Sequence, residues 1–157
     1  MSASVKPIPD GYTAVTPYIT VKGAAAAIAF YKQAFGAEEL MRLDSPDGKV
    51  AHAEISIAGA VIMLHDEQPQ WQALSPQTLG GTGSAIMLYV PDVDAVVARA
   101  VQAGATLTMP VVDQFYGDRC GNVTDPFGHK WSVATHVEDV SPEEIAVRAA
   151  KMFQEAG

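Results

Sequence analysis

His52 and Glu54 stand two residues apart in the run His52-Ala53-Glu54-Ile55-Ser56-Ile57, whose alternation is that of a β-strand, so both side chains project from one face. An imidazole beside a carboxylate is an acid–base pair. The carboxylate orients the ring and favours its charged form, which makes His52 a candidate general base and Glu54 its partner. His65 and Asp66 lie on the next apolar run and extend the set toward metal ligation. A plain hydrogen-bonded patch or a dimer contact would have the same composition. The second constellation is Tyr116-Gly117-Asp118-Arg119. A guanidinium braced by Asp118 offers two parallel hydrogen bonds to a carboxylate or phosphonate, which makes Arg119 the third candidate catalytic residue. An Arg–Asp pair that merely holds a loop is the simpler reading. Tyr89, Phe115, Tyr116, Trp131, Met63 and Met87 are candidates to line an apolar pocket or to fill a core. Cys120 has no evident activating partner and reads as a small buried hydrophobe.

The elements that must position these residues occur twice. Val15 to Val21 reads as a strand, and Ala24, Ile28, Tyr31 and Phe35 recur at helical spacing before Gly36 stops the helix. Strands are expected at Glu38–Leu43, His52–Ile57 and Ala60–His65, with Ser45-Pro46-Asp47-Gly48 as a turn. The order then repeats: a strand at Ser84–Val90, a helix from about Pro91-Asp92 to Gly104, and strands at Thr106–Val112, Arg119–Val123 and Lys130–Ala134. Asp125-Pro126-Phe127-Gly128 is the last turn. Val21 and Val90, which end the paired strands, lie 69 residues apart. The fold class is therefore α+β: two βαβββ modules, over 13–67 and 83–137. They follow an irregular lead-in over 1–12. A loop or lid over 68–82 carries Trp71 and Leu74 and joins them, and a C-terminal helix occupies 138–157. Ser141-Pro142-Glu143-Glu144 begins that helix, with serine as cap and proline at the first helical position. Sheets paired in this way build a small-molecule cavity.

Composition narrows the function. A net charge of −8 opposes nucleic-acid binding, which needs a basic face. One cysteine excludes an intramolecular disulfide and a cysteine-rich zinc site. No apolar run approaches the roughly 20 residues of a membrane helix, and the start carries no secretory signal, so a cytoplasmic protein is expected. There is no phosphate-cradling loop or nucleophile elbow. Gly80-Gly81-Thr82-Gly83 precedes a strand and lacks the helix N-terminus that holds phosphate.

Taken in order, Tyr18-Ile19-Thr20-Val21, Ala29-Phe30-Tyr31, Phe35-Gly36-Ala37, His52-Ala53-Glu54, Leu64-His65-Asp66-Glu67, Tyr116-Gly117-Asp118-Arg119 and Asp125-Pro126-Phe127-Gly128-His129-Lys130-Trp131 are similar to the vicinal-oxygen-chelate superfamily. That superfamily is the glyoxalase/bleomycin-resistance/dioxygenase group, and the resemblance is to its PhnB-like subgroup. It implies sheets curled around a cavity at or near a homodimer interface. In metal-dependent members it also implies four ligand positions, which fall here at Thr16, Met63, Ala85 and Ser132. None of these supplies the histidine nitrogen or carboxylate oxygen that a divalent ion prefers, so no metal cofactor is expected.

Three functions are consistent with these residues. The first is a metal-independent binding protein for an apolar or aromatic ligand, lined by Tyr89, Trp131, Phe115, Tyr116, Met63 and Trp71. The second is a lyase or isomerase using His52, Glu54 or Arg119. The third is a protein-interaction module.

Overall fold

The computed structural model describes residues 5–156. The first module runs β1 (Tyr18–Val21), α1 (Ala24–Phe35), β2 (Glu38–Asp44), β3 (Val50–Ile57) and β4 (Ala60–Asp66). A short 3-10 turn (Pro69–Trp71) and a single helical turn, α2 (Pro76–Leu79), follow. The second module repeats the order: β5 (Ala85–Tyr89), α3 (Val93–Ala103), β6 (Thr106–Asp113), β7 (Asp118–Thr124) and β8 (Lys130–His136), with α4 (Pro142–Glu155) as the tail. Each module forms one four-stranded sheet, ordered β1-β4-β3-β2 and β5-β8-β7-β6, with the first strand parallel to its neighbour and the rest antiparallel.

Alternation sorts each sheet into a helix-facing side and an open side. In sheet 1, Ile19, Leu64, Ala53, Ile62, Ile55 and Ile57 are buried toward α1. In sheet 2, Leu88, Val133, Trp131 and Val123 are the buried counterparts. The two helices pack against each other, and Arg99 of α3 donates from Nε to the Ala34 carbonyl at the end of α1. The modules are joined by aromatic packing. Phe35 and Tyr31 of α1 stand 4.7 and 5.5 Å, centroid to centroid, from Trp131 of β8.

Two local rules place the helices. Asp66, at the end of β4, accepts from the first amides of α1, Gly23 at 2.7 Å and Ala24 at 2.9 Å, so a carboxylate meets the positive end of the helix. Asp92 and Ser141 cap α3 and α4 through their side-chain oxygens. β1 begins at Tyr18, later than the expected Val15, which is exposed. Pro17 has no amide to add to the ladder and contributes only its carbonyl, to Met63. The segment over 68–82 is partly structured: it closes on itself at Gln68 and Ala73 before α2.

The buried Asp125, in the β7–β8 turn, accepts from the Tyr31 hydroxyl (2.6 Å), Trp131 Nε1 (2.9 Å) and the amides of Phe127 and His129 (2.9 Å each). Replacing Asp125 with Ala leaves two buried side-chain donors unpaired. We expect a loss of about 3 kcal/mol, read as a lowered urea midpoint with an unchanged slope. A loss under about 1 kcal/mol would mean that water replaces the carboxylate.

Candidate functional site

The open side of sheet 1 carries a row set by register: Tyr18 lies opposite Met63, Met63 opposite Glu54, and Glu54 opposite Met41. His52 and His65 fall in the neighbouring row with Thr20 and Leu43. The polar groups form one hydrogen-bonded series. The Tyr12 hydroxyl donates to Glu54 Oε2, His52 Nε2 lies 3.1 Å from Glu54 Oε1, and the Tyr18 hydroxyl lies 3.0 Å from His52 Nδ1. The Tyr12 hydroxyl and, second to it, His52 hold the Glu54 carboxyl below the usual carboxylate range, while Glu54 pushes the Tyr12 phenol up. An ionised Glu54 accepts only, so in the neutral ring His52 carries its proton on Nε2. Nδ1 is then the acceptor of the Tyr18 hydroxyl. His65 is occupied at both nitrogens, by the Asp66 carbonyl at 2.7 Å and the Thr20 hydroxyl at 3.2 Å. Both imidazoles meet the Tyr18 ring edge-on.

The repeat replaces this chemistry in sheet 2. The equivalent row there is Met87, Ser132, Asn122 and Met109, in which Ser132 donates to Asn122 at 2.9 Å. Sheet 2 instead has a polar group at its far end. Tyr89 donates to Asp118 (2.8 Å), and His136 bridges Asp118 (2.8 Å) and Asp139 (2.9 Å), beside Tyr116 and Ile145.

A cavity of roughly 400 Å³ lies between β1 and β5. Tyr18, Ile19, Leu74, Pro76, Ile86 and Lys130 are among its walls. Its outer wall is the loop that ends in α2, tied down at several points. Glu67 accepts from the Ser75 amide at 2.7 Å, and bonds to Ser75 and Thr78 bring its carboxyl down to about 2. Gln77 donates to the Pro126 carbonyl. Gly128 has φ +89°, and a Cβ there would stand 2.8 Å from Pro76, so only glycine lets the loop lie this close. His129 Nε2 reaches the Thr20 carbonyl at 2.8 Å and ties this turn to β1.

The structure brings His52 and Glu54 together, with Met63 opposite Glu54. Tyr89 and Tyr116 meet on the other sheet. It separates the remaining candidates from any such site. Trp131 is fully buried between α1 and sheet 2, so it is core and not lining. Arg119 is on the helix-facing side, held by Asp94 of α3 at 2.7 Å and Asp113 at 3.1 Å, with Asp118 turned to the opposite face. Asp66 likewise points toward α1, away from His52. Phe115 packs edge-on against Tyr116, and its carbonyl accepts from Arg148 of α4. Trp71 is exposed in the 3-10 turn, and Leu74 is the residue of that loop that reaches the cavity. Cys120 is buried, and burial pushes its thiol up. The sequence reading missed Tyr12 and Tyr18 as chemical groups; the alternation of Tyr18 and Thr20 beside the strand that carries His65 was the available signal.

Thr16, Met63, Ala85 and Ser132 do not fit a divalent ion, because none offers nitrogen or carboxylate. Among the described residues no group of three or more His, Cys, Asp or Glu is arranged to hold one.

The Glyoxalase/Bleomycin resistance protein/Dioxygenase superfamily model matches residues 11–133. A protein of Mycobacterium tuberculosis is 47% identical over 135 residues, covering 84% of this chain and 79% of that one. The structure of a gene product from Arabidopsis thaliana superposes with a TM-score of 0.60 at 32% identity, over 78% of this chain and 98% of that one. The PhnB protein from Bacillus cereus shares the fold (TM-score 0.62, 18% identity, over 78% of this chain and 99% of that one). The chain belongs to the glyoxalase/bleomycin resistance protein/dioxygenase superfamily. No helix among its described residues is long and apolar enough to cross a membrane.

Asp139, and second to it Asp118, push the His136 imidazole above its ordinary range. A raised histidine stabilises the fold fully below its unfolded value and loses that contribution as pH rises through the folded one. NMR titration should place the His136 midpoint above that of an ordinary histidine, and Asp139→Asn should bring it down. An unmoved midpoint in that variant would contradict the pairing.

Proposed function

We propose that this protein binds a small apolar or aromatic molecule without a metal, in the cytoplasm and as a homodimer. The observation that carries this reading is the cavity between β1 and β5, walled largely by apolar side chains. On the open sheet faces Tyr18, Met87 and Tyr89 are about half exposed. A second copy is the natural cover, because the superfamily fold places its cavities where modules meet. Lys130 at the rim would orient a ligand with one oxygen. A second reading, an acid–base enzyme of the lyase or isomerase kind, is favoured by the Tyr12–Glu54–His52–Tyr18 series.

Ala85 lies in the cavity wall and is exposed, so Ala85→Trp fills the space without disturbing the core. Calorimetry with 4-nitroanisole should show binding to the wild type and at least about ten-fold weaker binding to Ala85→Trp, or about 1.4 kcal/mol. Equal affinity would place the ligand elsewhere. Sedimentation of the wild type should give a dimer, and elemental analysis after incubation with zinc, manganese or nickel should give no stoichiometric metal.

A further inference from the structure

Lys130 stands where two cavities meet. It lines the space between β1 and β5, and with Ala85 it also lines a second space, of roughly 390 Å³, along sheet 2. Thr108, Asn122, Thr124 and Ser132 give that second space polar walls. We propose that the ligand is an aromatic carboxylic acid, bound as its carboxylate at Lys130 and Asn122 with its ring in the cavity between β1 and β5. This rests on that cavity being a ligand site, as argued above, and adds the chemical class of the ligand and the residues that select it.

Charge accounts for the head group. The chain has 18 acidic against 10 basic residues, yet among the described residues no aspartate or glutamate lines either cavity. Lys130 takes part in none of the ion pairs among those residues. His129, the other basic side chain in the walls, turns its Nε2 to the Thr20 carbonyl. An ammonium without a partner, at the edge of an apolar space, is matched by one negative charge. Asn122 supplies the second donor. It lies diagonally across the β7–β8 ladder from Lys130 and on the same face, since Thr124 is opposite Lys130 and Ser132 opposite Asn122. Its Oδ1 accepts from the Ser132 hydroxyl at 2.9 Å, and its Nδ2 has only the Met109 sulfur, at 3.9 Å, as an acceptor among the described residues. One ammonium and one carboxamide suit the two oxygens of a carboxylate, whereas a doubly charged phosphate would leave a charge unmatched. The apolar ring of the acid then lies beside Ile19, Leu74 and Ile86.

The repeat supports the assignment. Lys130 and Asn122 fall where the first module has Val61 and Glu54. At equivalent points of one frame, the second sheet has therefore lost an anion and gained a cation on its open side. The ladder requires neither change, because its hydrogen bonds are made by the backbone. The exchange is left to be explained by what the face binds.

The test compares 4-nitrobenzoate with its methyl ester, which keeps the ring and both oxygens but carries no charge. Burial favours the ester through its extra methyl group, so a preference for the acid has to come from polar partners. Calorimetry on the full chain near neutral pH should give at least about ten-fold tighter binding of 4-nitrobenzoate. Lys130→Met removes the charge and keeps the length of the stem, and there the preference should disappear. Asn122→Asp keeps the acceptor for Ser132 and sets a carboxylate against the head group, so it should reverse the preference. Lys151→Met, which takes the same charge from the exposed side of α4, should leave the preference as it is in the wild type. Ala85→Trp should weaken both probes. Equal affinities in the wild type, or a preference for the ester, overturn the proposal and leave the cavity as a site for neutral molecules. A preference that survives in Lys130→Met or in Asn122→Asp overturns it as well. So does one lost in Lys151→Met, which would be the effect of net charge alone, or 4-nitrobenzoate binding that Ala85→Trp does not weaken. If neither probe binds, the ligand site fails with it.

Discussion

Asp125 is a buried carboxylate that forms no ion pair among the described residues. Removing such a charge from water is costly unless its lone pairs are matched by donors. Four donors supply that match: two turn amides, the Trp131 indole and the Tyr31 hydroxyl. The last two come from different modules, so satisfying one carboxylate fixes α1 against sheet 2. The same turn carries His129 to the Thr20 carbonyl and lets α2 approach at Gly128. The end of β1, the loop wall and the cavity between them therefore take their positions from the groups that keep Asp125 paired. Tilted contacts of Phe35 and Tyr31 with Trp131 add area to that junction, but the hydrogen bonds give it its register.

The two modules share a frame and differ in chemistry. Their helix-facing sides are largely apolar and buried, as packing against α1 and α3 requires, with Arg119 as a charged exception. Their open sides diverge residue by residue: Tyr18 against Met87, Met63 against Ser132, Glu54 against Asn122. Divergence concentrated on the open faces, where α4 reaches only the far end of sheet 2 through Ile145, is the pattern expected when stability is carried chiefly on one side of a sheet and function on the other.

Most of the frame was legible in the sequence, because strand alternation, helical spacing and end signals are local. Ser141, Asp92 and Gly36 do what their residue types lead one to expect. What misled was the choice of face. Trp131 alternates with Val133, both toward the helices, whereas Ser132 and Ala134 look out; an aromatic residue in a strand fits either side, and only the Asp125 contact decides. Arg119 and Asp118 are adjacent in the chain and so point to opposite sides, which precluded the braced pair from the start. The Tyr12 contact with Glu54 spans 42 residues and begins in a segment without periodicity, so nothing local could announce it.

The position of the His52 series bears on when it can act. Tyr18 is more than half exposed, and hydrogen bonds open to water are weakened by its dielectric and by competing partners. The same three groups in a closed space would couple far more strongly, because a charge on His52 would then be stabilised chiefly by Glu54. In the dimer proposed above, such closure would come from a second copy laid over the open sheet faces. The polar groups of that face are already aligned, so covering it would strengthen their coupling without rearranging them.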